Sequence, residues 1–255
     1  MPYKLEGRNV LVTGGSRGLG AVICQKFAAE GCNLAINYAN SEAPAQKLAE
    51  ELRQKHSNIQ IIVLKGDAGV LANCQHLVQE TVKAFGSIDG IIANAGWTKF
   101  TDFNDLNAMT EAEWDKCWAT NVKGPHALTN AALPHFNQNP HGGFFVITSS
   151  VAGKSLSGSS MAYSVTKAAQ LHLMKCLAKT QGAKLRINAV LPGLLLTDWG
   201  NLYGEERIRG IKEAAALKKE TDLEDCADAF VMLAKNTSIT GQNIHVDSGL
   251  VVQHL

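Results

Sequence analysis

Tyr163 and Lys167 stand four residues apart in the run Met161–Leu177. Ala168, Leu171 and Lys175 recur there at helical spacing, which predicts a helix. Residues i and i+4 of a helix share a face, so the phenol and the ammonium group are expected side by side. A free phenol has a pKa of roughly 10 and is a poor acid or base at neutral pH. A nearby ammonium favours the phenolate and lowers that value. Bringing it to about 7 requires three units, or about 4 kcal/mol. One lysine supplies part of this, and a second positive charge is needed for the rest. The pair alone also reads as an amphipathic surface pair, so its meaning depends on the elements that position it.

Those elements begin with Asn9–Thr13, an apolar run read as a buried strand. Gly14-Gly-Ser-Arg-Gly18-Leu-Gly20 follows, and then a helical pattern from Ala21. Glycines let the backbone turn tightly and approach a pyrophosphate, and the helix N-terminus offers unpaired N–H groups to the anion. The G-x-x-x-G-x-G spacing in a strand–turn–helix context predicts dinucleotide binding. The next strand, Asn33–Tyr38, sets the cofactor type. A carboxylate at its end would accept hydrogen bonds from a ribose 2′-hydroxyl and repel a 2′-phosphate. Here the chain has Asn37 and Tyr38, with no acid until Glu42, and Arg17 in the glycine turn offers a cation. Both features favour NADP(H) over NAD(H).

The remaining chain continues the alternation. Helical patterns at Glu42–His56 and Val70–Phe85 separate strands at Gln60–Asp67 and Ile88–Gly96. A short helix at Glu111–Trp118 is followed by a longer one from Thr120 to about Phe136. Asn121, taken alone, reads as bonding to local backbone. A fifth strand, Gly143–Ser150, ends in the hydroxyls Ser149 and Ser150; a sixth, Leu185–Gly193, is stopped by Pro192-Gly193. The segment 194–217 is a candidate lid. Asp222–Leu233 is a helix with Thr221 or Asp222 as N-cap, and a last strand lies in Ile239–Gly249. Such alternation indicates βαβ units and a parallel sheet in one domain spanning 1–255.

Composition narrows the function. Charged residues are 18% and the net charge is +1, without a basic block, which argues against nucleic acid or an anionic membrane as partner. No apolar run is long enough to span a bilayer, and the start lacks an apolar signal core, so a cytoplasmic protein is expected. Gln253-His254-Leu255 is not a clean peroxisomal signal. The six cysteines are scattered and read as buried free thiols; neither they nor the eight histidines show metal-ligand spacing, so no metal is expected.

The ordered set Thr13-Gly14-x-x-x-Gly18-x-Gly20, Asn94-Ala95-Gly96, Ser150, Tyr163-x-x-x-Lys167 and Pro192-Gly193 with Thr197 resembles the short-chain dehydrogenase/reductase family over about residues 4–252. Two departures are small: Ala93 precedes Asn94 where the family often has asparagine, and Asp247-Ser248-Gly249 replaces Asp-Gly-Gly. The resemblance implies an α/β Rossmann fold with a seven-stranded parallel sheet, order 3-2-1-4-5-6-7, and helices on both faces. It implies hydride transfer between NAD(P) and a carbonyl or alcohol carbon. By resemblance, Tyr163 is the general acid, Lys167 lowers its pKa and binds the nicotinamide ribose, and Ser150 holds the substrate oxygen. Asn121 holds a water in the proton relay, and Ser149 points elsewhere. Gly14, Ser16, Arg17, Gly18 and Leu19 line the pyrophosphate and adenosine side; Asp67 and Ala68 meet adenine. Asn94, Ala95 and Gly96 lie along the cofactor, and Pro192, Gly193 and Thr197 lie beside the carboxamide.

For the substrate wall the candidates are Trp97, Leu156, Leu194, Leu195, Trp199, Leu202 and Tyr203. They are mostly apolar, with no evident cationic clamp, which favours a neutral ketone or secondary alcohol. A 3-oxoacyl-thioester reductase is the alternative, and Arg207, Arg209 and Lys212 would be its basic patch. A catalytically silent NADP-binding regulator is the reading from another class; it would be expected to lack part of the Asn121, Ser150, Tyr163, Lys167 set. The resemblance also implies a homotetramer or dimer through helices near 121–136 and 161–181. Leu171, Leu173, Met174 and Leu177 are more apolar than one buried face requires.

Overall fold

A computed structural model describes residues 3–252; Gln253-His254-Leu255, read above for a targeting signal, lie outside the described residues. The seven strands form one parallel sheet in the order β3-β2-β1-β4-β5-β6-β7. They are β1 (Asn9–Val12), β2 (Asn33–Tyr38), β3 (Ile61–Lys65), β4 (Gly90–Ala93), β5 (Gly143–Thr148), β6 (Leu185–Pro192) and β7 (Asn243–Val246). The helices are α1 (Gly18–Ala29), α2 (Glu42–Lys55), α3 (Leu71–Phe85), α4 (Glu111–Trp118), α5 (Gly124–Gln138), α6 (Met161–Gln181), α7 (Glu205–Ala214) and α8 (Leu223–Lys235).

The sheet divides the core because successive strand side chains face opposite sides. Val10, Val12, Leu34, Ile36, Phe144 and Val146 pack with α1, α2 and α8 on one face. Leu11, Ala35, Ile91, Phe145 and Ile147 pack with α3, α5 and α6 on the other. Strands buried on both faces read as continuous apolar runs, which is why they were visible in the sequence. Glycine permits the closest approaches: a Cβ on Gly90 would lie 2.1 Å from the Phe144 ring.

Several boundaries differ from the sequence reading. β5 stops at Thr148, two residues before Ser150, which instead caps a 3-10 turn at Val151–Gly153 by accepting from the Ala152 N–H. The two helices expected on either side of residue 119 form one continuous path, joined by a five-residue π-helical turn, Ala119–Lys123. Within 194–217 only Glu205–Ala214 and the 3-10 turn Gly200–Tyr203 are helical. Asp222, not Thr221, caps α8, accepting from the Glu224 and Asp225 N–H groups. Of the six thiols, Cys176 is exposed, contrary to the expectation that all are buried. Among the described residues no helix is long and apolar enough to cross a membrane.

Candidate active site

β1 pairs with β2 on one side and β4 on the other, so the crevice between the ends of β1 and β4 is the point where strand order reverses. Ligands of open α/β sheets bind at that switch point. The two turns there are stitched together. Asn94 Nδ2 donates to the carbonyls of Thr13 and Gly14, and the Ala95 N–H donates to Thr13 Oγ1. Asn94 Oδ1 accepts from Thr148 Oγ1, which adds the end of β5 to the same assembly.

The glycine turn has the shape of an anion cradle. Gly14 and Gly18 have φ of 61° and 51°, a left-handed conformation costly for a residue with a Cβ. A Cβ on Gly20 would lie 2.2 Å from the Gly14 carbonyl oxygen, so only glycine lets α1 start so close to the turn. Arg17 is the N-cap of α1; no side chain caps it, and the first turn carries no acid. Its N–H groups remain for a phosphate. Leu19 and Ser16 are buried beside it.

Asn37 is placed differently from its expected cofactor contact. It is buried, its Oδ1 accepts from the Gly14 N–H, and its Nδ2 donates to the carbonyls of Tyr38, Leu64 and Gly66. Its polar atoms are committed to shaping the glycine turn. Burial raises the Tyr38 phenol's pKa, and the nearby Glu42 carboxylate adds to it. Asp67 caps its own loop by accepting from the Gly69 N–H at 2.8 Å, and Ala68 is buried beneath it. Pro192 ends β6; the Gly193 N–H donates to the Val246 carbonyl, and Thr197 lies against Gly18.

Ser150, Tyr163, Lys167 and Asn121 converge at the C-terminal end of the sheet. Ser160 caps α6 by accepting from the Tyr163 N–H, which fixes the first turn of the helix. Lys167 is almost fully buried, and its Nζ donates to the Thr148 carbonyl at 2.8 Å. Nζ lies 5.3 Å from the Tyr163 ring centroid. Ser149 turns the other way and donates to the Lys167 carbonyl.

Burial dominates the electrostatics of the pair. Burial pushes Tyr163 up rather than down, and the adjoining Ser150 hydroxyl opposes this only in part. Burial also pushes Lys167 down to about 7, so its own charge is costly. The lysine alone does not bring the tyrosine toward neutrality.

Asn121 sits in the π-helical turn and is fully buried. Its Oδ1 accepts from the Trp97 N–H, and its Nδ2 donates to the Trp97 carbonyl and Thr166 Oγ1. The side chain therefore holds the loop after β4. Its main-chain carbonyl accepts from Gln170 Nε2. Gln170 was not singled out in the sequence; the available signal was an amide one turn beyond Lys167 on the same face.

The residues read as a substrate wall are placed in different surroundings. Trp199 tilts over Tyr163 with ring centroids 5.9 Å apart, and Tyr203 packs edge-on against Phe100 at 4.9 Å. Phe100, Thr101, Asp102, Phe103, Leu202, Tyr203 and Arg207 line an open groove of about 560 Å³, and Ser150, Tyr163 and Lys167 are not part of its lining. Leu156 is 98% exposed, whereas Leu194 is buried and Leu195 packs on the core. Trp97 lies under Lys116, 5.0 Å from its ring centroid. Arg207, which the sequence offered only as part of a basic patch, lies 4.8 Å over the Tyr203 ring and donates to the Gly158 carbonyl. Among the described residues no cluster of His, Cys, Asp and Glu could hold a metal ion.

Residues 14–251 match the profile of a family described as enoyl-(acyl-carrier-protein) reductase. The chain is 34% identical over 249 residues to a 3-oxoacyl-[acyl-carrier-protein] reductase of Staphylococcus epidermidis, covering 95% of this chain and 98% of the relative. It belongs to the short-chain dehydrogenase/reductase family. An Arabidopsis thaliana member is 32% identical over 257 residues, 98% of this chain and 97% of that one. A Burkholderia cenocepacia short-chain dehydrogenase solved in complex with NADP superposes with a TM-score of 0.89 at 27% identity, covering 97% and 99% of the two chains. This short-chain dehydrogenase/reductase is thus an oxidoreductase, and its sheet order is that of the family.

Proposed function

We propose that the protein reduces a ketone to a secondary alcohol, or runs the reverse, with NADP(H) preferred over NAD(H). The observation that carries this is the convergence of Ser150, Tyr163 and Lys167 beside the cradle formed by Gly14, Gly18, Gly20 and Arg17. The cradle fits a dinucleotide: its glycines are irreplaceable by shape, and the start of α1 is uncapped. Arg17 would meet the 2′-phosphate, Lys167 the nicotinamide ribose, and Thr197 the carboxamide end. When bound, the nicotinamide supplies or accepts the hydride.

The chain's own residues handle the proton. Ser150 holds the substrate oxygen and stabilises charge developing on it. Tyr163 Oη gives its proton to that oxygen in reduction and takes it back in oxidation. Lys167, anchored by the Thr148 carbonyl, keeps further N–H donors for the ribose and the refilling proton. Asn121 contributes through its carbonyl, since its side chain is occupied.

A 3-oxoacyl thioester is the second reading, favoured by the 34% identity to the Staphylococcus epidermidis enzyme. The proposed basic patch adds little to it. Arg207 is committed to Tyr203 and Gly158, and Lys212 pairs with Glu220 at 2.7 Å. For self-association, Leu171 and Met174 belong to the protein's own core, which leaves Leu173 and Leu177 as the partly exposed apolar residues of that set on α6.

NADPH oxidation against ketones, diketones and short acyl thioesters, with NADH in parallel and Tyr163→Phe as control, tests the reading. Turnover is expected with NADPH and should fall by roughly a hundred- to ten-thousand-fold in the variant. Equal rates with Tyr163→Phe would overturn the proton-transfer role. Faster turnover with NADH would overturn the role of Arg17. Tight NADPH binding without turnover would favour the silent regulator.

A further inference from the structure

A cluster of three hydroxyls stands between the loop after β4 and the start of α6. Thr98 Oγ1 lies 2.8 Å from Ser159 Oγ and 3.2 Å from Ser160 Oγ, and it donates to the Lys99 carbonyl. A hydroxyl has one proton and two lone pairs. With its proton on the Lys99 carbonyl, Thr98 accepts from both serines and is saturated. The directions beyond it are then fixed. Ser160 gives its proton to Thr98 and accepts from the Tyr163 N–H. Ser159 gives its proton to Thr98 and turns its lone pairs to the Tyr203 hydroxyl beside it. Both serines are fully buried, so neither can turn to solvent for a replacement. The loop itself is held on either side of this cluster. Asn121 bonds both the N–H and the carbonyl of Trp97, and the Thr101 N–H donates to the Ser159 carbonyl. Phe100, between them, packs on Tyr203.

We propose that Thr98 is a positioning residue that sets Tyr163 and the groove-wall Tyr203 from one hydroxyl. Its Ser160 arm governs the rate of proton transfer, and its Ser159 arm governs affinity for the ketone. This rests on the ketone-reductase reading above. The Ser160 arm ends on the backbone of Tyr163 in the first turn of α6. Lys167, one turn on, is held separately by the Thr148 carbonyl. Loosening the first turn therefore moves the phenol relative to the ammonium, and proton transfer is sensitive to such displacement. The Ser159 arm ends on the ring that lines the groove with Phe100. A ring free to shift loses more entropy when it meets a substrate, which weakens binding. Neither arm reaches the glycine turn, so cofactor affinity lies outside the influence of Thr98.

The test is steady-state reduction of a hydrophobic ketone at saturating NADPH, with calorimetric titration of NADPH and thermal unfolding of each variant. Thr98→Val keeps the shape and removes the hydroxyl. Its kcat is expected to fall about tenfold and its KM to rise about two- to threefold, with NADPH affinity unchanged. Thr98→Ser keeps the hydroxyl and should restore both values. The serines separate the arms. Ser159→Ala should raise KM and leave kcat, whereas Ser160→Ala should lower kcat and leave KM. These two variants carry the test if Thr98→Val does not fold. Wild-type kcat and KM in a folded Thr98→Val would overturn the proposal, even with a lowered Tm. So would serine variants that change kcat and KM alike, since that is what a merely structural cluster would do. Tyr163→Phe separates this failure from that of the reading beneath it. If Tyr163→Phe is inactive and Thr98→Val is not impaired, the reading stands and the positioning role is wrong. If the wild type turns over no ketone, or Tyr163→Phe keeps its rate, the reading fails and the positioning role falls with it.

Discussion

Gln170 Nε2 donates to the main-chain carbonyl of Asn121 and ties α6 to the π-helical turn. The amide is fully buried, and its Oε1 has no partner among the described residues. π turns inside helices occur often at functional sites. Here the turn places the Asn121 side chain across the loop after β4 while its carbonyl faces the helix that carries Tyr163 and Lys167.

Two costs oppose each other in Gln170→Met. The Asn121 carbonyl loses a donor, worth about 1–3 kcal/mol, but an unpaired buried oxygen of similar cost disappears. The expected net change is within ~1 kcal/mol, or a few degrees in Tm. Gln170→Glu should be far worse at pH 8, where a buried carboxylate faces a carbonyl. It should recover toward pH 5, where the protonated acid can donate. Thermal unfolding at both pH values checks this. Equal damage from Met and Glu at both pH values would mean that the bond, not the buried charge, dominates.

Lys167 sets the sign of a second pH effect. Its pKa falls from near 10.5 to about 7 on burial, so between those values the unfolded chain binds more protons than the folded one. Stability then rises with pH across this window and is lowest, for this group, at and below about pH 7. Tyr163 has a raised pKa and opposes this only above its ordinary value near 10. Lys167→Met should therefore raise the free energy of unfolding at pH 6.5 by on the order of a few kcal/mol, and Tm with it, the gain shrinking toward pH 10. A gain independent of pH would show that packing, not charge burial, is responsible.

The glycine cradle makes a steric prediction. A methyl on Gly20 would meet the Gly14 carbonyl at 2.2 Å and Asn94 Nδ2 at 2.6 Å. The backbone is the obstacle on one side and the Asn94 bridge on the other, so neither can yield freely. Gly20→Ala is expected to cost about 1–3 kcal/mol or more and to weaken NADPH binding at least tenfold, because the turn itself must shift. Gly86→Ala is the comparison: nothing lies within 4 Å of its Cβ, and only its φ of 82° is unfavourable. It should lose stability but keep cofactor affinity. Calorimetric titration with NADPH separates the two.

Much of this was legible in the sequence because the fold writes itself in period. Strands buried on both faces gave apolar runs, and glycine appeared where shape allowed nothing else. Tyr163, Lys167 and Ser150 were legible by type and spacing. Local bonds were not. Asn37 stands at the cofactor-selecting end of β2 but spends its polar atoms on backbone, and nothing in the residues before it signals the Gly14 and Gly66 groups it satisfies. Leu156 and Leu194 are the same residue type on either side of the site, yet one is 98% exposed and the other 6%. Only the path of the chain distinguishes them. Spacing shows the cation beside Tyr163 but not the burial that raises the phenol and lowers the lysine.

The revised wall yields the last prediction. Tyr203 is half-buried, packs edge-on to Phe100, lies under Arg207 and has its hydroxyl beside Ser159, so its ring is held on several sides. A ring fixed in this way loses little entropy when it meets a substrate, whereas Leu156 in solvent has nothing to hold it. Tyr203→Ala removes an aromatic wall worth several kcal/mol of burial and frees Arg207, so KM for a hydrophobic ketone should rise about tenfold or more. Tyr203→Phe keeps the ring and loses only the hydroxyl bond, so its KM should stay within about threefold. Leu156→Ser should leave both kcat and KM unchanged. Steady-state kinetics with NADPH saturating decides among them. A rise in KM for Leu156→Ser with none for Tyr203→Ala would return the wall to the segment before Tyr163 and remove the Phe100–Tyr203 cavity from the substrate path.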